Sequence, residues 1–225
     1  GTINLTYYYN NIQFTNSLMV GLGNSSESPY GTFSEYARLN PYWRPYDEEG
    51  NVNLQLGDPG DGSNVYSRSP LQTNPLYNAS LNTFNLSNRN NLVNNTSVEW
   101  AILEGLRMRA RLGLSRTTTQ TDHFRPSTHT AFANYTEADM FRKGSYNYGV
   151  SNGFSYDGSL NLSYSTLLKE VHSIYAGVDY NMRQNQTSGY HFMAEGFPNE
   201  NIDFLSMALQ YAEGGKPTAS EALSR

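Results

Sequence analysis

Between Ser145 and Thr166 the large apolar side chains fall on even positions only: Tyr146, Tyr148, Val150, Phe154, Tyr156, Leu160, Leu162 and Tyr164. The odd positions are almost entirely Ser, Asn and Gly, with Asp157 among them. A period of two over so long a stretch is the signature of a β-strand whose two faces meet different surroundings. Asp157-Gly158 has the composition of a two-residue hairpin turn. Such a turn reverses apolar parity, and here the parity continues unbroken. The stretch therefore reads as one long strand with an irregularity at the glycine.

The same test finds three hairpins. Ile3, Leu5, Tyr7 and Tyr9 share a face, Asn10-Asn11 follows, and Ile12, Phe14, Leu18, Val20 and Leu22 continue the pattern. A two-residue hairpin pairs the residues that flank its turn, so the apolar faces of both strands coincide. Further along, Leu92, Val98, Trp100 and Ile102 oppose Asn91, Asn95, Ser97 and Glu99. Leu103–Gly105 turns the chain into Leu106, Met108, Ala110, Leu112 and Leu114, whose opposite face carries Arg107, Arg109, Arg111, Gly113 and Ser115. After Leu168–Glu170, Ile174, Ala176, Val178, Tyr180 and Met182 alternate with Ser173, Tyr175, Gly177, Asp179 and Arg183.

Six strands result. Short turns alternate strictly with long connections through 24–90, 117–144 and 184–225, so all long connections fall at one end of the sheet. A short helix is expected near Ser34–Leu39. Three arginines on alternate residues cannot face a dry core without a heavy desolvation cost, but they can face a water-filled lumen. Alternating faces with asymmetric loops are the marks of a transmembrane β-barrel. Trp100, Tyr164 and Tyr180 are candidates for its aromatic girdle.

Composition agrees. Of 225 residues only 37% are apolar, yet 18 are Tyr and 10 are Phe, and the mean hydropathy is −0.62. A disordered chain would be depleted in aromatics. A net charge of −5 gives no basic stripe for nucleic acid. With no Cys there is no disulfide framework or thiolate metal site. No apolar run reaches the length of a transmembrane helix, and the chain opens directly on a strand pattern, as a segment of a longer protein would.

The loops carry a family likeness. Asn40-Pro41-Tyr42-Trp43-Arg44-Pro45-Tyr46-Asp47-Glu48-Glu49-Gly50 resembles a stretch of the SusC/RagA family of TonB-linked outer-membrane receptors. Asn74–Ala79 with Asn94–Trp100, Glu104–Arg109, Phe124–Ser127 and Lys169–Gly177 are similar to later segments of that family, in the same order. Tyr211 and Pro217–Arg225 resemble the approach to another strand. The resemblance implies that residues 1–225 are a middle portion of a barrel of 22 strands that encloses a plug. It also implies import of glycans, or of peptides in some members, powered by TonB and covered by a SusD-like surface lipoprotein. The plug, the TonB-contacting box and the C-terminal strands would lie elsewhere. A bacterial outer-membrane location follows, with lipid around the barrel and no cofactor.

Candidate site residues form two groups. Arg107, Arg109, Arg111, Asp179 and Arg183 would face the lumen, where they contact the plug or line the substrate route. Tyr42, Trp43 and Tyr46 lie on the first long loop. A stretch shared by receptors for different substrates is better suited to packing loops or meeting the lid than to selecting a ligand. No catalytic or metal site is expected. Asp122, His123, Ser127 and His129 lack a nucleophile elbow or an oxyanion signature. Asp58–Asn64 lacks the ligand spacing and distal Glu of a calcium loop. Asn78 and Asn185 match a glycan-acceptor pattern by chance, and His172 reads as a surface or interface histidine. The competing architecture is a soluble, exported β-sandwich adhesin or glycan-binding module.

Overall fold

A computed structural model describes residues 1–57, 72–169 and 171–225. The protein is built around one antiparallel sheet of eight strands. Its path is β1 (Thr2–Tyr9), β2 (Ile12–Ser26), β5 (Phe84–Leu103), β6 (Leu106–Arg125), β7 (Ser145–Leu168), β8 (His172–Glu195) and β10 (Thr218–Ser224), and β9 (Gln210–Tyr211) also pairs with β8. A two-stranded ribbon, β3 (Gln55–Leu56) with β4 (Gln72–Thr73), lies in the first long connection. That connection also holds helices α1 (Phe33–Ala37) and α2 (Pro75–Ser80). The sheet is open: β1 and β10 each pair on one side only. Among the described residues the sheet is a single open layer, as in a stretch of barrel wall, and no second large sheet packs across it.

The predicted hairpins form at the predicted places. Tyr9 pairs with Ile12 around Asn10, which adopts the left-handed conformation that Asn tolerates (φ 48°). Trp100 pairs with Met108, and a bulge between Ala101 and Leu103 leads into Glu104-Gly105. Leu168 pairs with His172. Gly105 has φ 82°, and a Cβ there would strike the carbonyl oxygen of Ser165 on the neighbouring strand, so the turn admits glycine alone.

The sheet departs from the sequence reading in three respects. The strands are longer, reaching 20 residues in β5 and β6 and 24 in β7 and β8. The long connections shrink accordingly to 27–83, 126–144 and 196–217. The added lengths, such as Ser87–Asn91 and Thr117–Asp122, are polar on both faces, so they carry no alternation although their backbones ladder normally. The strand count rises from six to eight because β9 and β10 form within 184–225, where alternation shows only a connection and the family likeness of Tyr211 and Pro217–Arg225 points to the approach to a further strand. Finally, β7 runs through Asp157-Gly158 without a register shift against either neighbour. The glycine serves packing there: a Cβ on Gly158 would lie 2.6 Å from Cε of Met182.

The best-buried cluster lies at the loop end of the sheet. Phe124 is fully buried against Phe84, Tyr146 and Phe197, with ring centroids 5.2–6.1 Å away. Elsewhere the apolar face is open, with Ile3 68%, Val178 69% and Tyr180 63% exposed.

Candidate functional site

Strand alternation gives the sheet one polar and one apolar face, and the register assembles each from side-by-side residues. On the apolar face one row runs Tyr9, Ile12, Trp100, Met108, Leu162, Val178. The next runs Tyr7, Phe14, Val98, Ala110, Leu160, Tyr180. Apolar rows occupy positions 106–114 of β6, close to the roughly 9–11 residues a tilted strand needs to cross a bilayer. Beyond Arg116 the same face turns polar, with Thr118 beside Asn90 and Asn152. The sheet thus carries an apolar belt near its short turns; beyond it β6 is polar on both sides as far as Asp122, whereas β7 and β8 keep Val150, Tyr148, Tyr190 and Phe192 on the same face. Tyr164 and Trp100 lie at the short-turn edge of the belt, and Tyr180 lies one row inside Trp100's row.

One polar island interrupts the belt, unseen in the sequence parity. Asn16, Asn94 and Thr96 lie on the apolar face, where Asn16 pairs with Thr96 and Leu18 with Asn94. Asn16 Nδ2 donates to Thr96 Oγ1 at 2.8 Å and to Asn94 Oδ1 at 3.2 Å. Asn94 Nδ2 donates back to Asn16 Oδ1 at 3.3 Å, and Thr96 Oγ1 donates to Asn94 Oδ1 at 3.1 Å. The three groups bond to one another, which lowers the cost of placing them among apolar neighbours. No rule of periodicity finds such a trio, because it depends on cross-strand register.

The polar face gathers the predicted charged residues at the short-turn half. Glu99, Arg109, Asn161 and Asp179 form one row. Arg109 Nε lies 2.8 Å from Glu99 Oε1, with both side chains 47% exposed, and Asn161 Nδ2 donates to Asp179 Oδ1 at 2.7 Å. Arg111 lies between Ser97 and Ser159, and Arg107 between Ala101 and Ser163. Arg183 is level with Asp157, whose carboxylate folds over Gly113 and occupies the space a Cβ would fill. All five predicted residues therefore share one face within a few rows.

Tyr42, Trp43 and Tyr46 lie at the other end, in the connection from β2 to β5. Tyr42 is 90% exposed, Trp43 is half-buried and Tyr46 bridges Val52. Around them the motif folds on itself. Asp47 Oδ1 accepts from the backbone N–H groups of Glu49 and Asn51, and its Oδ2 accepts from Nδ2 of Asn51 at 3.0 Å. These hydrogen bonds, that from the Asn51 side chain first, hold the carboxyl of Asp47 below its ordinary value. Asn74 clamps the whole segment: Nδ2 donates to the carbonyls of Pro45 (2.9 Å) and Asn53 (2.8 Å), and Oδ1 caps α2 by accepting from Leu76. Asn74 is only 1% exposed. The signal for it was the Asn-Pro pair that opens a helix.

The long connections lock together. Asn78 Nδ2 donates to Thr130 Oγ1 at 2.7 Å, Thr128 Oγ1 donates to Glu200 and Asn82 Nδ2 donates to Asp203. Buried Glu195 pairs with Arg142 at 2.8 Å and accepts from Gln210. A cleft of about 730 Å³ opens between the second and third connections, with Phe141, Phe197 and Leu209 in its walls.

Asp122 and His123 point to opposite faces of β6, and Asp122 accepts from the Tyr146 hydroxyl at 2.8 Å. His129 Nδ1 caps a 3-10 turn at Thr130–Phe132 by accepting from Ala131. These residues do not converge on a reacting position. Asn185 lies within β8 and Asn78 is engaged with Thr130, while His172 is the exposed first residue of β8. Asp58–Asn64 lies outside the described residues.

No family model and no curated protein matches the chain. Among solved structures it is similar to a chain of the RagAB peptide importer in an open-open state, with a TM-score of 0.71 and 16% identity. The RagAB peptide transporter (0.70, 15%) and the closed-closed state of the importer (0.69, 16%) are similar to the same degree. Each likeness covers 99% of this chain and 24% of the other, so the chain spans about a quarter of the length of those it matches. At such identities what is shared is the fold, an open stretch of all-β wall that corresponds to part of a far longer chain.

Proposed function

We propose that this chain is part of the wall of an outer-membrane β-barrel importer for nutrient oligomers, peptides foremost. The observation that carries the reading is the two-part outer face. Its apolar belt has the height of a bilayer, and above a polar row at Asn90, Thr118, Asn152 and Ser188 the strands continue, β6 with polar residues on both sides and β7 and β8 with aromatic residues among polar ones. A soluble module has no use for a broad exposed apolar face on a single-layer sheet. A barrel does, because lipid covers that face and closure removes the open edges. The similar chains belong to proteins described as peptide importers, which favours peptides over glycans as cargo. In this reading the short turns face the periplasm and the interlocked connections form an external cap. Tyr42 on that cap is available to a SusD-like lipoprotein lid, with Trp43 and Tyr46 supporting the loop. TonB would act through other parts of the parent polypeptide, and the assignment covers no enzymatic step and no cofactor.

The full-length protein should sediment with outer membranes, resist carbonate extraction, and migrate faster on a detergent gel before boiling than after. Recovery in the soluble periplasmic or secreted fraction would contradict the proposal.

A further inference from the structure

The cations of the polar face are all arginine. Arg107, Arg109, Arg111 and Arg125 lie on β6, Arg89 on β5 and Arg183 on β8, and register and alternation place all six on the same face. The three lysines, Lys143, Lys169 and Lys216, lie outside the strands. Four carboxylates share the face: Glu99, Asp157, Asp179 and Glu195. Two are engaged by arginine, Glu99 by Arg109 and Glu195 by Arg142 of the loop cap. Among the described residues Arg107 and Arg111 make no ion pair, and their neighbours across the sheet are Ala101, Ser163, Ser97 and Ser159. A chain of net charge −5 therefore has a wall with more cations than anions.

From this we infer that Arg107 and Arg111, flanking the Arg109–Glu99 pair, form a binding track for acidic peptides. The inference rests on the transport reading and specifies its cargo. Guanidinium groups present a planar fork that matches a carboxylate, and two of them are left open here. Arg107 and Arg111 are four residues apart, roughly 14 Å along a strand. An extended peptide repeats its side chains at the same spacing, so one lying along β6 sets alternate carboxylates against successive arginines. Ser97 and Ser159 beside Arg111 and Ser163 beside Arg107 are neutral hydroxyls that can bond to the peptide backbone. Arg109, already held by Glu99, keeps the row ordered.

The test compares a short acetylated, amidated peptide of alternating Glu and Ser with the same peptide carrying Gln for Glu. Both are titrated against the detergent-solubilised full-length protein. The acidic peptide should bind about tenfold tighter or better at low salt, and its advantage should shrink as salt rises. R107Q/R111Q should abolish the preference and leave the Gln peptide unchanged, and R107K/R111K should retain part of it. If R107Q/R111Q fails to assemble, the lysine variant and the salt titration of the unaltered protein decide. Equal binding of the two peptides, an equal loss of both in R107Q/R111Q, or binding of neither would overturn the inference. If the protein sediments with outer membranes in each case, the transport reading survives that failure. Loss of membrane sedimentation is the separate result that removes the reading itself.

Discussion

Asn74 holds three backbone groups of the first long connection with a single buried amide, so its loss should be felt across the loop. Asn74→Ala leaves the carbonyls of Pro45 and Asn53 without their donor and should cost about 2–3 kcal/mol of loop stability. Asn74→Asp keeps the helix cap but sets a buried carboxylate oxygen against the carbonyls of Pro45 and Asn53, which adds repulsion to the loss of the two donated bonds. Limited proteolysis between 27 and 83 should rank the aspartate variant as most sensitive, the alanine variant next and the unaltered protein last. Equal rates would show that the clamp contributes nothing. His129 supplies a second test at this scale. Burial, with help from Arg125 and His123, lowers its pKa from 6.5 to about 4. The folded loop disfavours the proton that the unfolded loop accepts, so this contribution is complete above about pH 6.5 and is lost as pH falls towards 4. Protonation also removes the Nδ1 acceptor that caps the turn at Thr130–Phe132. Amide exchange at Ala131 should accelerate across that window, and His129→Asn, which keeps an acceptor, should show little pH dependence.

At the scale of the element, two glycines with similar backbone angles should behave differently. Gly50 and Gly105 have φ 85° and 82°, but a Cβ on Gly50 meets nothing within 4 Å, whereas one on Gly105 strikes Ser165. Gly50→Ala should cost about 1 kcal/mol from its left-handed backbone alone. Gly105→Ala should disrupt the β5–β6 turn, seen as loss of heat-modifiable gel mobility. The polar island offers a test of pairing. Asn16→Leu leaves Asn94 and Thr96 short of partners in the belt and should destabilise the sheet, while N16L/N94L/T96V together should be near neutral. Denaturant unfolding in detergent distinguishes these outcomes. The same residues show what the sequence makes legible. Arg107, Arg109 and Arg111 could be assigned to one face by parity, and Asn10 and Gly105 to turns by composition. Asn16 and Asn94 could not, because only the register brings them together. The outer halves of β5 and β6 were hidden for another reason: Asn, Ser and Thr on both faces leave no period to detect, and wet strands resemble loops. In the site, the charged row was legible, whereas the Asn74 clamp was not, since its partners Pro45 and Asn53 are fixed only by the loop's path.

Across the whole molecule, the barrel reading has one sheet separate lipid from water over part of its height, with β6 standing in water on both sides above that level. In the barrel reading, further strands complete the edges β1 and β10 and a bilayer covers the exposed apolar belt. Residues 1–225 contain no cysteine, so a cysteine scan of β6 in the full-length protein, reconstituted in lipid vesicles, needs replacement only of any cysteine outside them. Each position from 107 to 122 is reacted with a membrane-impermeant thiol reagent and, separately, labelled with a fluorophore and exposed to a lipid-borne quencher. Through position 114 the odd residues should react with the reagent while the even residues are quenched by lipid. Above Arg116 both sets should react and quenching should vanish. Uniform reactivity from 107 to 122, or quenching that follows the odd residues, would contradict the account.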